Sequence, residues 1–171
     1  KICGALAVND VNILRADVNT REDDLSLDIF QVTDVDGNPK LPPWKKKRVL
    51  ARLDEVVSLR LKAKDLLEKY STQWDRRRKA GGVRPAEVDF ENRISDRYTV
   101  IDVTAQDSVG LLYTITHVLG EMDLDIHMAI INTVANRAAD AFYVVDSQNQ
   151  KILNFSVLEE IRDQLLSRLG V

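Results

Sequence analysis

The chain contains an internal repeat, which becomes visible when the sequence is shifted by 113 residues against itself. The segment NILRADVNTREDDLSLDIFQVTD then matches DIHMAIINTVANRAADAFYVVD, with a one-residue gap in its middle. Two copies of one folding unit are therefore expected. The matched pairs are Asp10/Asp123, Ile13/Ile126, Ala16/Ala129, Asn19/Asn132, Thr20/Thr133, Asp28/Asp140, Phe30/Phe142, Val32/Val144 and Asp34/Asp146.

The second copy shows the order of elements most clearly. Alternating, β-branched residues at 98–104 predict a strand, and residues 107–110 form a turn signal. Apolar residues at helical spacing follow from Leu111, and 124–131 reads as the next strand, which makes a β-α-β unit. In the same alignment Lys1 falls on Thr114. The opening strand, the turn and the first half of the helix of the second copy therefore have no counterpart in the first copy. The chain is accordingly expected to be part of a larger protein.

The repeat predicts an α+β fold of two ferredoxin-like βαββαβ units, with antiparallel sheets and helices on one face. The first unit, residues 1–80, lacks its N-terminal strand; residues 81–85 are a linker; and residues 86–171 form the second unit, which lacks its last strand. A long helix is predicted at 44–70. The strand at 86–92 is predicted to form a hairpin with 97–104, with ladder hydrogen bonds between Val88–Phe90 and Thr99–Ile101.

Composition excludes several classes of function. With 171 residues and a net charge of −3, the chain has no general attraction for nucleic acid or anionic membrane. The basic clusters at 45–48 and 76–79 are flanked by Trp44 and Trp74, but the chain is acidic overall, so they are interpreted as a solvated helix start and linker that can dock to an upstream domain. One cysteine, Cys3, excludes an internal disulfide framework. No histidine–cysteine spacing predicts a metal site, no catalytic constellation is visible, and no apolar run is long enough to span a membrane.

Several motifs resemble those of a known family. The unit with its D-x-x-G-L-L turn at 107–112 resembles the ACT domain, a ferredoxin-like regulatory module. The segments PAEVDFENRISDRY and DRYTVIDVTAQDSVGLLYTITHVLGEMDLDIHMAIINTVANRAADAFYVVD resemble the last ACT repeat of the PII uridylyltransferase/uridylyl-removing enzymes. That resemblance implies two catalytic domains upstream and a pair of ACT repeats as the glutamine-sensing C-terminal region. The helix and linker at 45–79 are longer and more basic than minimal ACT repeats require.

The turn between the first strand and the helix of the second copy is the main candidate ligand site. Gly110 allows close approach of a ligand to the backbone, and N–H groups at the helix start can bind a carboxylate. Asp107 can pair with an ammonium group. The alternative is that Asp107 or Ser108 caps the helix and Gly110 only serves the turn. The predicted residues are Asp107, Ser108, Val109, Gly110 and Leu111.

A facing strand is predicted to form the other wall of the site. It comes from the second copy, as Ile126, His127 and Met128, or from the first copy, as Asn12 and Ile13. Ile126 and Ile13 are expected in the core, whereas His127 and Asn12 are candidates to donate hydrogen bonds to a carboxamide or carboxylate. The competing interpretation of His127 is an ordinary surface side chain.

These features predict a cytoplasmic regulatory region without cofactor or metal, whose partners are an amino acid, by resemblance glutamine, and the catalytic domains of its parent enzyme. A homodimer through ACT sheets is expected. Two alternatives remain: an ACT regulator of another amino-acid-metabolism protein, and a dimerisation module without ligand. Whether the chain has enzymatic activity of its own is left open, since no catalytic motif lies in it and the implied parent is a nucleotidyltransferase.

Overall fold

The computed structural model describes residues 2–20, 26–34, 36–58, 85–108, 110–134 and 137–170. Helices alternate with groups of two or three strands in the described part of the chain. The helices are α1 (Ile2–Ala7), α2 (Pro43–Val57), α3 (Leu111–Glu121) and α4 (Phe155–Leu169). The strands are β1 (Val11–Thr20), β2 (Ser26–Asp34), β3 (Glu87–Glu91), β4 (Thr99–Gln106), β5 (Asp125–Ile130), β6 (Thr133–Val134) and β7 (Arg137–Val145).

The strands form one sheet in the order β2-β1-β5-β7-β4-β3, with the short β6 paired to β7. Each pair with a described register is antiparallel. The α+β class and the ferredoxin-like arrangement are therefore confirmed. The order β5-β7-β4-β3 is that of a complete ferredoxin-like unit, in which β3 takes the place of the closing strand.

The predicted hairpin of β3 and β4 is confirmed. Phe90 lies opposite Ile101 and Val88 opposite Val103. The segment Val88–Phe90 therefore pairs two residues further along β4 than the predicted partner Thr99–Ile101. The connection is fixed by Thr99, whose side chain is fully buried: the Ile152 N–H donates to Thr99 Oγ1 over 2.9 Å, and that hydroxyl donates to Asn92 Oδ1 over 2.8 Å. Lys151 also donates to the carbonyl of Ser95 over 2.7 Å. The hairpin is thus tied to the loop before α4.

Period-two alternation gives the sheet one buried face. Ile101, Val103, Phe142 and Val144 are at most 1% exposed, whereas Asp102, between the first two, is exposed. Helix residues at 3.6 spacing supply the rest of this core. They are Leu111, Leu112, Ile115, Val118 and Leu119 of α3, and Ile161 and Leu165 of α4.

The two copies share backbone details that the sequence match alone does not contain. Asp10 and its counterpart Asp123 both have φ of 55°, at the junction between helix and strand. The turn after β2 closes with Gly37 N–H donating to Asp34 O over 2.8 Å, and the turn after β7 closes with Asn149 N–H donating to Asp146 O over 2.9 Å. Helices α2 and α4 have 15 residues each. The internal repeat of the sequence is therefore also a repeat of the backbone structure.

Some predictions on domain layout stay untested. The helix predicted at 44–70 is observed as Pro43–Val57, and its second half, the linker and the basic cluster at 76–79 lie outside the described residues. The domain boundaries at 80 and 86 therefore remain predictions. By compactness the chain divides into two units, Lys1–Leu14 with Gln31–Val83 and Ser108–Tyr113, and Arg15–Phe30 with Arg84–Asp107 and Thr114–Val171.

Candidate functional site

The predicted ligand turn connects β4, which ends at Gln106, to α3, which begins at Leu111. The Leu111 N–H donates to the Ser108 carbonyl over 3.0 Å, which closes a tight turn. Gly110 has φ of +90°, a left-handed conformation that costs a residue with a Cβ atom about 1–2 kcal/mol. Glycine is therefore required here by the backbone. Val109 lies outside the described residues.

Helix α3 fixes this turn and gives it a favourable electrostatic setting. Leu111 and Leu112 are buried at its start, and Ile115 and Leu119 are fully buried one and two turns further. The first N–H groups of a helix have no intrahelical acceptor and carry partial positive charge. No acidic residue stands in the first turn of α3. The start of α3 is therefore suited to an anionic group, as in many carboxylate and phosphate sites.

The residues predicted for the two alternative walls of the site belong to different compact units. Ser108, Gly110 and Leu111 belong to the same compact unit as Asn12 and Ile13. Ile13 is a core residue at 9% exposure, as predicted, and its neighbour Asn12 is half-buried. The first residues of β1, up to Leu14, therefore belong to the same unit as the turn, whereas β1 from Arg15 onward belongs to the other unit.

The residues from the second copy belong to the other compact unit. Ile126 and Met128 flank a β-bulge of β5 against β7, and His127 is the extra residue between them. The His127 ring lies 5.2 Å from the Tyr98 ring, and its Nε2 is 3.4 Å from Asp125 Oδ2. His127 is thus packed within the sheet, with its side chain 17% exposed, and its role toward a ligand stays a prediction.

Asp140 of β7 is a buried acid that sequence reasoning did not select as a site residue. It is 2% exposed, and its Oδ1 accepts the Asn132 N–H over 3.2 Å. Burial raises the pKa of this carboxyl to about 7; the hydrogen bond from Asn132 opposes the shift, and the charge of Asp107 adds to it. The repeat carried the signal, because both copies combine Asn-Thr with an Asp eight or nine residues later (Asn19/Asp28 and Asn132/Asp140).

The described part of the chain offers no group of three or more histidine, cysteine, aspartate or glutamate side chains placed to hold a metal ion. Within the same residues, no helix has both the length and the apolar character that crossing a bilayer requires.

Comparison with known proteins agrees with the fold. A family profile described as ACR9-like, ACT-like domain matches residues 87–170. The bifunctional uridylyltransferase/uridylyl-removing enzyme of Gluconobacter oxydans is 36% identical over 169 residues, which is 99% of this chain and 18% of that enzyme. The enzymes of the same name from Rhodospirillum rubrum and Azospirillum brasilense are 32% and 33% identical, again over 18% of their length. No solved structure is significantly similar to the chain.

The chain thus spans about a fifth of the length of the curated relatives that it matches. The resemblance to the ACT region of these enzymes is confirmed over nearly all of the 171 residues. The protein is a homologue of a segment of the bifunctional uridylyltransferase/uridylyl-removing enzymes, and its residues 87–170 form an ACT-like domain.

Proposed function

We propose that this chain is the amino-acid-sensing region of a uridylyltransferase/uridylyl-removing enzyme, and that its ligand is glutamine. The observation that carries the proposal is the turn at Gly110, whose left-handed backbone opens directly into α3 and which shares a compact unit with Asn12. The choice of glutamine rests on the resemblance to the enzymes described above.

The chemistry of the turn supports an α-amino acid as ligand. The N–H groups at the start of α3 bind the α-carboxylate, since they are the positive end of the helix. The carboxylate of Asp107 binds the α-ammonium group, an interaction between opposite charges at hydrogen-bond distance. The amide of Asn12 pairs with the side-chain carboxamide, because an amide group is both donor and acceptor.

Regulation follows if the ligand has a higher affinity for one arrangement of the region than for another. A ligand shifts a conformational equilibrium only by its differential affinity for the two states. A coupling free energy of about 1–3 kcal/mol, typical of allosteric proteins, changes the affinity for the second ligand about 5–150-fold. The affected activities are the transferase and the uridylyl-removing functions named for the relatives.

The test is the free energy of unfolding of the chain in the presence of each of the twenty amino acids. A ligand that binds only the folded state adds about 2.7 kcal/mol at a hundred times its dissociation constant. Glutamine is expected to stabilise the chain, and Asp107→Asn to abolish that increment. The matched control is Asp163→Asn on the exposed side of α4, which must keep it. Stabilisation by a different amino acid would reassign the ligand, and no increment with any of them would contradict amino-acid sensing.

A second candidate function is dimerisation through the sheet, in a cytoplasmic enzyme. It is favoured by exposed apolar side chains on the strands: Leu27 is 65%, Ile29 58% and Ile130 42% exposed. Leu27 and Ile29 lie on one face of β2, since they are two residues apart. Analytical ultracentrifugation checks this: a dimer that dissociates in Ile29→Lys supports it, and a monomer at every concentration rules it out.

A further inference from the structure

Asp140 is a buried acid that the proposed ligand site does not include. It lies on the buried face of β7, opposite Val103 of β4, and is 2% exposed. The Asn132 N–H donates to its Oδ1 over 3.2 Å. A carboxylate in such a place is costly unless a cation pairs with it. The ionised form of Asp140 is therefore stabilised only if a positive charge comes close to it.

The described basic side chains of the surrounding elements do not supply this charge. Arg137, at the start of β7, lies three residues away and on the opposite, exposed face of the sheet, with its Nη2 3.4 Å from Glu87 Oε1. Strand β6 has no charged residue. The remaining basic groups pair elsewhere: His127 of β5 with Asp125, His117 of α3 and Arg168 of α4 with Glu121, and Arg162 of α4 with Glu159.

Asp107 is the charged group that acts on Asp140. Gln106, the last residue of β4, lies opposite Arg137, the first residue of β7, so Asp107 follows β4 at the end of the sheet where β7 begins. Burial raises the pKa of Asp140 to about 7, the hydrogen bond from Asn132 opposes the shift, and the charge of Asp107 adds to it. The two acids therefore repel each other when both are ionised.

We infer that Asp140 is a proton-releasing acid linked to the ligand site: it holds a proton while Asp107 has no ligand, and it loses that proton to solvent when the ammonium group of an amino acid binds to Asp107. This inference rests on the proposed function. The ammonium group cancels the negative charge that helps to keep Asp140 protonated. A charge acts over a longer distance in a buried place than in water, so Asp140 responds without touching the ligand.

The direction of the pH effect on binding follows from this proton release. A proton that is lost on binding makes the affinity rise with pH until the free protein has itself lost the proton. The α-ammonium and α-carboxylate groups of glutamine keep their charges in this range. The affinity for glutamine is therefore expected to rise about 2–5-fold between pH 6 and pH 8. A protein without the Asp140 carboxyl is expected to lack this rise.

The test is isothermal titration calorimetry of the protein with glutamine at pH 7, in phosphate and in Tris buffer. The two buffers take up protons with different heats, so the difference in binding heat counts the protons released. The wild type is expected to release about 0.2–0.5 proton per bound glutamine. Asp140→Asn, which keeps an acceptor for the Asn132 N–H, is expected to release none. Asp163→Asn on the exposed side of α4 is the matched control and must match the wild type.

A second measurement needs neither ligand nor a change at Asp140. The carboxyl carbon of Asp140 is followed by NMR against pH, and its midpoint is expected to be lower in Asp107→Asn, because a repelling charge is gone. An unchanged midpoint would overturn the inference. Glutamine binding without proton release, or with equal release in Asp140→Asn, would also overturn it and leave amino-acid sensing intact. Absence of binding by any amino acid would overturn the proposed function, and this inference with it.

Discussion

Asp17 lies opposite Ile130 in the pairing of β1 with β5, and the two residues are also counterparts in the internal repeat, since 17 + 113 = 130. On one side of this pair Val18 lies opposite Ala129 and Asn19 opposite Met128. Antiparallel strands with equivalent residues opposite each other are related by a local two-fold rotation through that pair. Duplication thus produced a strand that pairs with its own copy, in the way that homodimers pair equivalent edges.

The first prediction concerns the backbone at Gly110. Gly110→Ala is expected to lower the free energy of unfolding by about 1–2 kcal/mol, because φ of +90° is strained for alanine. Gly120→Ala is the matched control: nothing lies within 4 Å of the added Cβ, and its φ is not left-handed. That variant is expected to gain up to about 1 kcal/mol, since alanine is the better helix former. Urea denaturation of the two variants measures both values, and equal effects would contradict the backbone requirement.

The second prediction concerns the pH dependence of stability. Burial raises the pKa of Asp140 from 3.8 to about 7 in the folded chain. The folded state therefore retains this proton where the unfolded state has lost it. The resulting stability is fully present below pH 4 and is lost as the pH rises to about 7. Between pH 5 and pH 8 the loss is on the order of 2 kcal/mol.

Asp140→Asn isolates this contribution. Asparagine keeps an oxygen to accept the Asn132 N–H but does not titrate. As the pH rises from 5 to 8, the free energy of unfolding of the wild type is therefore expected to fall relative to that of the variant. Asp102→Asn is the comparison at an exposed site: partial desolvation, together with the charges of Asp89 and Glu91, raises the pKa of Asp102, and a smaller change with pH is expected there. If the difference in the free energy of unfolding between wild type and Asp140→Asn stays constant from pH 5 to pH 8, Asp140 does not keep its proton in the folded state.

The third prediction concerns Lys45. The sequence interpretation placed Lys45 in a solvated basic cluster, which is wrong for this residue, because its side chain is only 5% exposed. Its Nζ donates to Asp34 Oδ1 over 2.5 Å and to the Asp10 carbonyl over 2.7 Å. Lys45→Met is expected to destabilise the chain by about 3 kcal/mol, because it removes the buried ammonium group that donates to the Asp34 carboxylate and to the Asp10 carbonyl. The exposed neighbour Lys47→Met should change stability by less than about 0.5 kcal/mol.

A double-mutant cycle of Lys45→Met with Asp34→Asn measures the same pair directly. The double variant is expected to lose much less stability than the sum of the two single variants, since Asp34→Asn removes the carboxylate charge that Lys45 balances. Additive losses would show that Lys45 acts through packing alone. The second copy has Val157 at the equivalent position, so this ion pair is particular to the first.

The elements that the sequence predicted well are those whose signal is local or repeated. The β3–β4 hairpin followed from Val88–Phe90 and Thr99–Ile101, because alternation specifies which face of each strand is buried. The site was less predictable: nothing in the period of β5 indicates the bulge that re-aims His127. The raised pKa of Asp140 depends on burial under neighbours distant in sequence, which no local pattern contains.

The last prediction separates the two walls proposed for the ligand. Asn12 shares a compact unit with Ser108–Tyr113, whereas His127 belongs to the other unit and already contacts Tyr98 and Asp125. Asn12→Ala is therefore expected to weaken glutamine binding about 5–10-fold, the loss of a hydrogen bond worth about 1 kcal/mol or slightly more. His127→Ala is expected to leave the dissociation constant within a factor of two. Isothermal titration calorimetry compares them, and a larger loss with His127→Ala would move the binding wall from β1 to β5.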